Sequence, residues 1–536
     1  MRRLIALLVI PLLLPAATPL RASPAVDLSP ASWPPGELEL YTRLNQELGG
    51  VKPEASGREG MIVGTTGSLA VRAGLAALEQ GGSAVDAALA TAFAQITLAA
   101  GSWVSFAGIL SLVHYDADTR KLDYLNGEFN TVLGEDDPLS IPSAAPSGRT
   151  ALVPGFMAAA EAAHQRHGRL PWAELFVPAI YFAEEGFPLD ADLAATISFR
   201  WGVLSRLPET RAIFTRPDGA PYQTGDLFRQ PSLAQTLRRA ARNGADEMYT
   251  GAWGEKLVAA IQADGGKMTM DDLAAYRPIW KRPGKARFDD YKIQAPRSPG
   301  MGGRIAARVF RNLRGVNLAT LGHYTESADA LFALLSATRD AYGLVPPLHS
   351  DGVIAVDDEG NVVALLHSIN TSAWGLTGIF VDGVSIPDAA AQQQRRVAAA
   401  GPGQRIWTGT NPMIVTQKKR PVLASSAIGR GLMEATVQSL VNILAYGMSP
   451  KQAVDTALFR APRRLPEGGI GPSLVTIGDF PSDVLDEVRA RGIEIDELSR
   501  RDFESLGYWI GVAMDPETGE LLGATTPPLN GRALGR

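Results

Sequence analysis

The stretch PPLHSDGVIAVDDEGNVVALLHSINTS, Pro346 to Ser372, places a hydroxyl at the entry of a short hairpin and hydroxyls with an amide at its exit. Ser350 opens the first apolar run; Ser368, Asn370 and Thr371 close the second. A serine activated by histidine needs that base placed in space, and His349 is only a neighbour in sequence. The chain contains no Gly-x-Ser-x-Gly turn. A route without histidine remains. If the chain is cut between His349 and Ser350, the freed α-amino group, with a pKa of roughly 7.7–8.0, can act as base for the hydroxyl of the same residue. That chemistry needs a buried strand behind the hydroxyl and backbone amides to hold an oxyanion. ASSAIGRGLMEATV offers them: Ser425, Ser426 and Gly429 stand just ahead of a helix start, where free N–H groups and the dipole favour developing negative charge. Each residue also has a plainer role. Ser350 reads as a turn hydroxyl, Ser368, Asn370 and Thr371 as strand-end hydrogen bonders, and Gly429 and Gly431 as a helix-entry turn.

Two other patterns carry less. Glu161, His164 and His167 recur at i, i+3 and i+6, but zinc needs three or four converging ligands and no further cluster stands nearby in sequence. They read as a solvated helix face near its C-terminus, where histidine suits the dipole. SPGMGGRIAARVF lacks the Gly-Lys-Ser/Thr end of a phosphate loop, so Gly300, Gly302 and Gly303 read as a helix-entry turn. No metal or other cofactor is expected.

The elements around these residues follow from periodicity. GMIVGTT gives a short strand at Met61–Val63. SLAVRAGLAALEQGG gives a helix ending at Gly81, and SAVDAALATAFAQITLAAG a second, buried helix with Ser83 and Asp86 in near-capping-box spacing. GILSLVHYDADTRKLDYLNG, NPMIVTQKKRPVLASS and YWIGVAMDPETGELLGATTPP read as hairpins. Helices split at Gly168–Pro171, and residues 190–280 read as mainly helical. A strand near Tyr291–Ala295, a helix from Gly303 to Leu313 and another ending at Gly343 follow. Strands at both ends with helices between describe layered α+β or α/β packing.

With 536 residues and 46% hydrophobic composition, a large core is expected. The net charge of −5 argues against a broad cationic field for nucleic acid, although a local patch can hide in it. Met1 to about Ala25 has a basic start, a proline-broken apolar run and small residues near Ala22 and Ala25, the pattern of a secretory signal. The expectation is a secreted or periplasmic protein with no stable membrane partner. Residues 26–56 read as a linker or surface-wrapping arm. The absence of cysteine excludes disulfides and thiolate chemistry.

Over most of residues 60–536, in order, GMIVGTTGSLAVRAGLAALEQGGSAVDAALATA, VPGFMAAAEAAHQRHGRLPWAELFVPAIYFAEEGFPL, MTMDDLAAYRP, VDDEGNVVALLHSINTS, NPMIV, MSPKQAVDT and DPETGELLGATTPP resemble the γ-glutamyltransferase family of N-terminal nucleophile hydrolases. The resemblance implies an α+β, four-layer αββα fold. It also implies self-cleavage at His349–Ser350 into a large-subunit region, 26–349, and a small-subunit region, 350–536, which stay associated in one intertwined domain. The implied chemistry is hydrolysis or transfer of γ-glutamyl groups from a small molecule, usually glutathione. By position it makes Ser350 the nucleophile, Ser368 its supporting hydroxyl, Asn370 the substrate-binding amide and Ile428–Gly429 the oxyanion pair.

This chain departs from the family at the acyl-binding end. Asn126-Gly127-Glu128-Phe129 replaces Asp-Gly-Arg-Glu, so Glu128 stands where the resemblance implies an arginine on the substrate α-carboxylate. That reversal turns attraction into repulsion. Thr408-Gly409 replaces a serine pair, SWVSFAGIL a glycine run, and Asp351-Gly352 a Thr-His pair; only YGLVPPL precedes His349. Three readings follow: a γ-glutamyl-type hydrolase or acyltransferase, an amidase for another acyl group resembling cephalosporin acylases, and an uncleaved, non-catalytic relative.

Overall fold

Alternating and continuous apolar runs build two seven-stranded antiparallel sheets in the computed structural model, which describes residues 26–48, 54–298, 300–339, 341, 350–429, 431–462, 469–499, 507–526 and 529–536. The signal-like segment and His349 lie outside the described residues. The first half of the chain supplies β1 (Glu54–Gly57), β2 (Met61–Gly64), β3 (Ile109–Asp116), β4 (Lys121–Gly127), β5 (Ile279–Lys281), β6 (Gly284–Phe288) and β7 (Tyr291–Ala295). The second supplies β8 (Ser350–Val356), β9 (Val362–Ser368), β10 (Met413–Gln417), β11 (Arg420–Ile428), β12 (Tyr508–Met514), β13 (Leu521–Thr525) and β14 (Arg532–Gly535). One sheet runs β14-β2-β8-β9-β3-β4-β5, the other β1-β13-β12-β11-β10-β7-β6. Each sheet therefore interleaves strands from both sides of Ser350.

The flanking helices are α1 (Glu37–Gln46), α2 (Ser68–Glu79), α3 (Ala84–Leu98), α4 (Phe156–His167), α5 (Val177–Glu185), α6 (Gly302–Asn312), α7 (Ala328–Arg339) and α8 (Leu432–Leu444). Side-chain alternation sorts the layers. Val353, Ala355, Val363 and Leu365 pack outward against α2 and α3. Ile354, Val356, Val362 and Ala364 pack inward against Ile414, Ala424, Ile510 and Val512 of the second sheet. Val415, Leu423, Ala427 and Trp509 pack on that sheet's far side with α6, α7 and α8. The result is the expected αββα stack, with β8 and β9 central and buried on both faces.

Most expected elements form. Ser83 and Asp86 make a full capping box on α3, which is buried along its whole length. The hairpin β10–β11 turns at Lys418 and Lys419, both in the left-handed region at φ 50° and 67°, as a two-residue turn requires. Two readings are corrected. Of the two readings given for residues 26–56, linker and surface-wrapping arm, the linker is corrected: the segment carries α1 and the start of β1, and Glu37 accepts from buried Arg72 at 2.6 Å. The Glu161–His167 face is packed rather than solvated. His164 Nε2 lies 2.7 Å from Leu170 O, His167 stacks on His114 at 3.8 Å, and Glu161 accepts the Ala245 N–H at 3.1 Å. One strand was missed altogether: Arg532–Gly535 pairs with β2 as a sheet edge, and four residues without alternation gave no strand signal.

Candidate active site

The ladder between β8 and β9 pairs Ser350 with Ser368 and Asp351 with His367. Because successive side chains point to opposite faces, Ser350, Gly352 and Ile354 face the second sheet, while Asp351 and Val353 face the helices. Ser350 is buried and starts the strand instead of sitting in a turn. Gly352 lets the opposite sheet approach: a Cβ there would stand 3.3 Å from Ser426 Oγ. That buried hydroxyl has no hydrogen-bond partner among the described residues.

Ser368 Oγ accepts the Asn370 N–H at 2.9 Å. Asn370 has a left-handed backbone, φ 56°, and its buried carboxamide has no partner for nitrogen or oxygen among the described residues. A desolvated amide left without hydrogen bonds costs about 1–3 kcal/mol, which a ligand with matching groups would offset. Thr371 instead interacts with the buried carboxyl of Asp388. Beyond Ser426, β11 ends at Ile428 and the chain turns at Gly429, φ 84°, before α8. No side chain caps that helix start at Gly431, and the Leu432 N–H donates to Gly429 O at 3.2 Å.

Ser425 does not join this group. It shares the outward face of β11 with Leu423 and Ala427, and its Oγ accepts from Trp509 Nε1 at 2.8 Å. Alternation sends adjacent serines to opposite layers, so Ser426 reaches the inter-sheet space and Ser425 cannot.

Glu128 lies at the same end of the sheet. Ser350, Ser368 and Ile109 are in register across β8, β9 and β3, and the Leu110–Gly127 pair carries that row to Glu128, one residue past β4. Three strand steps put its backbone roughly 14 Å from that of Ser350. Its Oε1 accepts from the hydroxyls of Thr408 and Thr410, the latter at 2.9 Å, while Oε2 is buried without a partner among the described residues. Burial outweighs those bonds and raises its pKa.

Sequence reasoning missed the cations here. Arg405 is fully engaged, donating to Asn130 Oδ1 at 2.7 Å, to Asn126 O at 2.8 Å and to Arg277 O at 2.7 Å. Arg396 stacks on Trp407 at 3.6 Å and donates to Gln393 Oε1 at 3.0 Å. Burial lowers its pKa to about 10, against the opposing pull of Glu128. The only sequence signal was a pair of arginines in the alanine-rich run 389–400.

On the reverse face, Asp351 is held from three sides. Its carboxyl accepts from Thr65 Oγ1 at 3.0 Å, Thr66 Oγ1 at 2.8 Å and Trp103 Nε1 at 2.9 Å. Burial still pushes its pKa up to about 7. Thr65 Oγ1 also accepts the Gly352 N–H at 2.9 Å, which ties the strand carrying Ser350 to the start of α2. Among the described residues no group of three His, Asp or Glu side chains is placed to hold a metal.

The chain is similar to several proteins of known name. The Glutathione hydrolase proenzyme of Pseudomonas sp. (strain A14) is 27% identical, with 75% of this chain and 82% of the relative covered. The Acylase ACY 1 proenzyme of Pseudomonas sp. (strain SE83) is also 27% identical, covering 88% and 93%. The crystal structure of cephalosporin acylase from Bacillus halodurans superposes with a TM-score of 0.78 at 22% identity, covering 91% of this chain and 97% of that one, and shows the N-terminal nucleophile hydrolase fold. The profile of the family described as Gamma-glutamyltranspeptidase matches residues 70–344 and 352–535. With that match over most of its length, the chain belongs to the γ-glutamyltranspeptidase family.

Proposed function

We propose that this chain is an exported amide hydrolase or acyltransferase, processed at His349–Ser350, in which Ser350 is the nucleophile and its own freed α-amino group the base. The observation that carries the reading is a set of polar groups at one end of the two sheets: Ser350 opposite Ser368, with Asn370 past the end of β9 and Ser426 on the facing sheet presenting buried groups that nothing in the described protein satisfies. Such groups are poised for a ligand. Ser350 Oγ attacks the amide carbonyl, its proton passes through the α-amine to the leaving nitrogen, and water or an acceptor amine releases the acyl group. The backbone N–H of Gly429, at the turn between β11 and α8, is the proposed oxyanion donor. The family profile passes over residues 345–351, so the serine assignment rests on this geometry.

The acyl group in this reading carries no carboxylate at the Glu128 end. A neutral or cationic group able to donate a hydrogen bond would satisfy Oε2, whereas an ordinary γ-glutamyl α-carboxylate would meet a buried acid. The names of both the acylase and the glutathione hydrolase relatives agree with amide hydrolysis. One observation favours a second reading. Arg396, desolvated and within reach of the Glu128 charge, has the cation that position 128 lacks, and would keep the preference γ-glutamyl.

Intact mass of the purified protein is the first test, with two fragments meeting at Ser350 expected and one uncut chain overturning the proposal. Hydrolysis of neutral and cationic acyl anilides over γ-glutamyl anilide supports the first reading. The reverse preference, lost in Arg396→Ala, supports the second.

A further inference from the structure

Residues 281–314 hold ten lysines and arginines against Asp289 and Asp290, in a chain that is acidic overall. The fold gathers five of them into one groove. Lys285 on the edge strand β6, Arg297 after β7, and Arg304, Arg308 and Arg311 on α6 line a cleft of about 500 Å³, and among the described residues no carboxylate lines it. None of the five has an ion-pair partner among the described residues; Arg304 touches only the Met301 sulfur, at 3.5 Å.

The three arginines of α6 follow spacings of four and three, so they share one face over about 10 Å at ~1.5 Å per residue. Met301 and Gly303 form the groove floor where α6 begins, and no side chain caps that helix. Glycine is what permits the close turn: a Cβ on Gly303 would stand 2.3 Å from Pro296 O. The helix dipole thus adds to the arginine field at one end of the groove. Uncompensated like charges at helical spacing destabilise the fold, and a bound polyanion relieves that repulsion.

We propose that this groove is a binding site for a soluble, extended polyanion bearing at least three phosphate or carboxylate groups along its length. Its concave shape suits a chain lying along α6 rather than a flat lipid surface. The proposal stands apart from the hydrolase reading, and no part of it requires Ser350.

Calorimetric titration of the full chain with sodium tripolyphosphate in about 50 mM salt tests it. One site is expected, weakened about tenfold or more in Arg304→Glu/Arg308→Glu and by raising the salt. Orthophosphate should bind about tenfold weaker. A tri-aspartate peptide run in parallel tells carboxylate from phosphate by which binds tighter. Equal affinity in the double variant, no heat with millimolar tripolyphosphate, or binding confined to anionic lipid vesicles would each overturn the proposal. Should the charge reversal fail to fold, Arg304→Gln/Arg308→Gln removes the same two charges and carries the same test.

Discussion

Two buried carboxylates, Asp351 on the strand that carries Ser350 and Glu128 three strands away at the same end of the sheet, are treated differently. Asp351, behind the strand, receives three donors and ties β8 to β2 and to the Trp103 loop. Glu128, at the inter-sheet end, uses one oxygen and leaves the other without a partner among the described residues. Both pKa values are raised by burial. The difference lies in satisfaction: polar groups matched within the fold hold the scaffold, and those left unmatched mark where a ligand belongs.

Breaking the front face should have the largest effects. Ser350→Ala is expected to leave the chain uncut and lower amide hydrolysis by about 10⁴-fold or more, read by intact mass and single-turnover assays. Asn370→Ala should cost about 10²-fold in kcat/KM while leaving the melting temperature nearly unchanged, because its carboxamide bonds nothing in the described protein. A large loss of stability instead would make Asn370 a structural residue. Glu128→Gln keeps the size and removes the charge. It should shift KM for a cationic acyl substrate upward by about tenfold and lower it for a γ-glutamyl one, so an unchanged ratio would remove Glu128 from substrate recognition.

The reverse face gives a subtler effect, seen in stability alone. Asp351 has a folded pKa of about 7 against an ordinary 3.8, so the native state binds its proton more tightly than the unfolded chain. Its contribution is therefore most favourable below about pH 4, declines as pH rises toward 7, and is level above that. Denaturant unfolding across this range should show that slope, and Asp351→Asn should flatten it. A variant with the same pH dependence would mean that another group titrates.

Much of the architecture was legible in the sequence. Hairpin periodicity located β3–β4, β8–β9, β10–β11 and β12–β13, and the alanine-rich α3 announced its own burial. The order of the family-like segments pointed to the layered fold. Short pieces were not legible: β14 and β1 are held by pairing across more than 450 residues, which no local pattern carries. Of the site, the hairpin ends were readable because register follows from two alternating runs and a turn. Arg396, Thr410 and the Thr65–Thr66–Trp103 cradle come from distant segments. The charge excess of residues 281–314 was countable, but whether it lay scattered or gathered was not.

What the sequence by itself determined is the set of locally encoded choices: which runs are strands, where hairpins turn, which helix has no polar face. These depend on side-chain period and backbone preference within a few residues. Only tertiary structure decided that adjacent serines 425 and 426 belong to different layers, that Asp351 is matched and Glu128 is not, and that five cations share one groove. Those outcomes depend on which surfaces lose water together, and that is a property of the assembled layers.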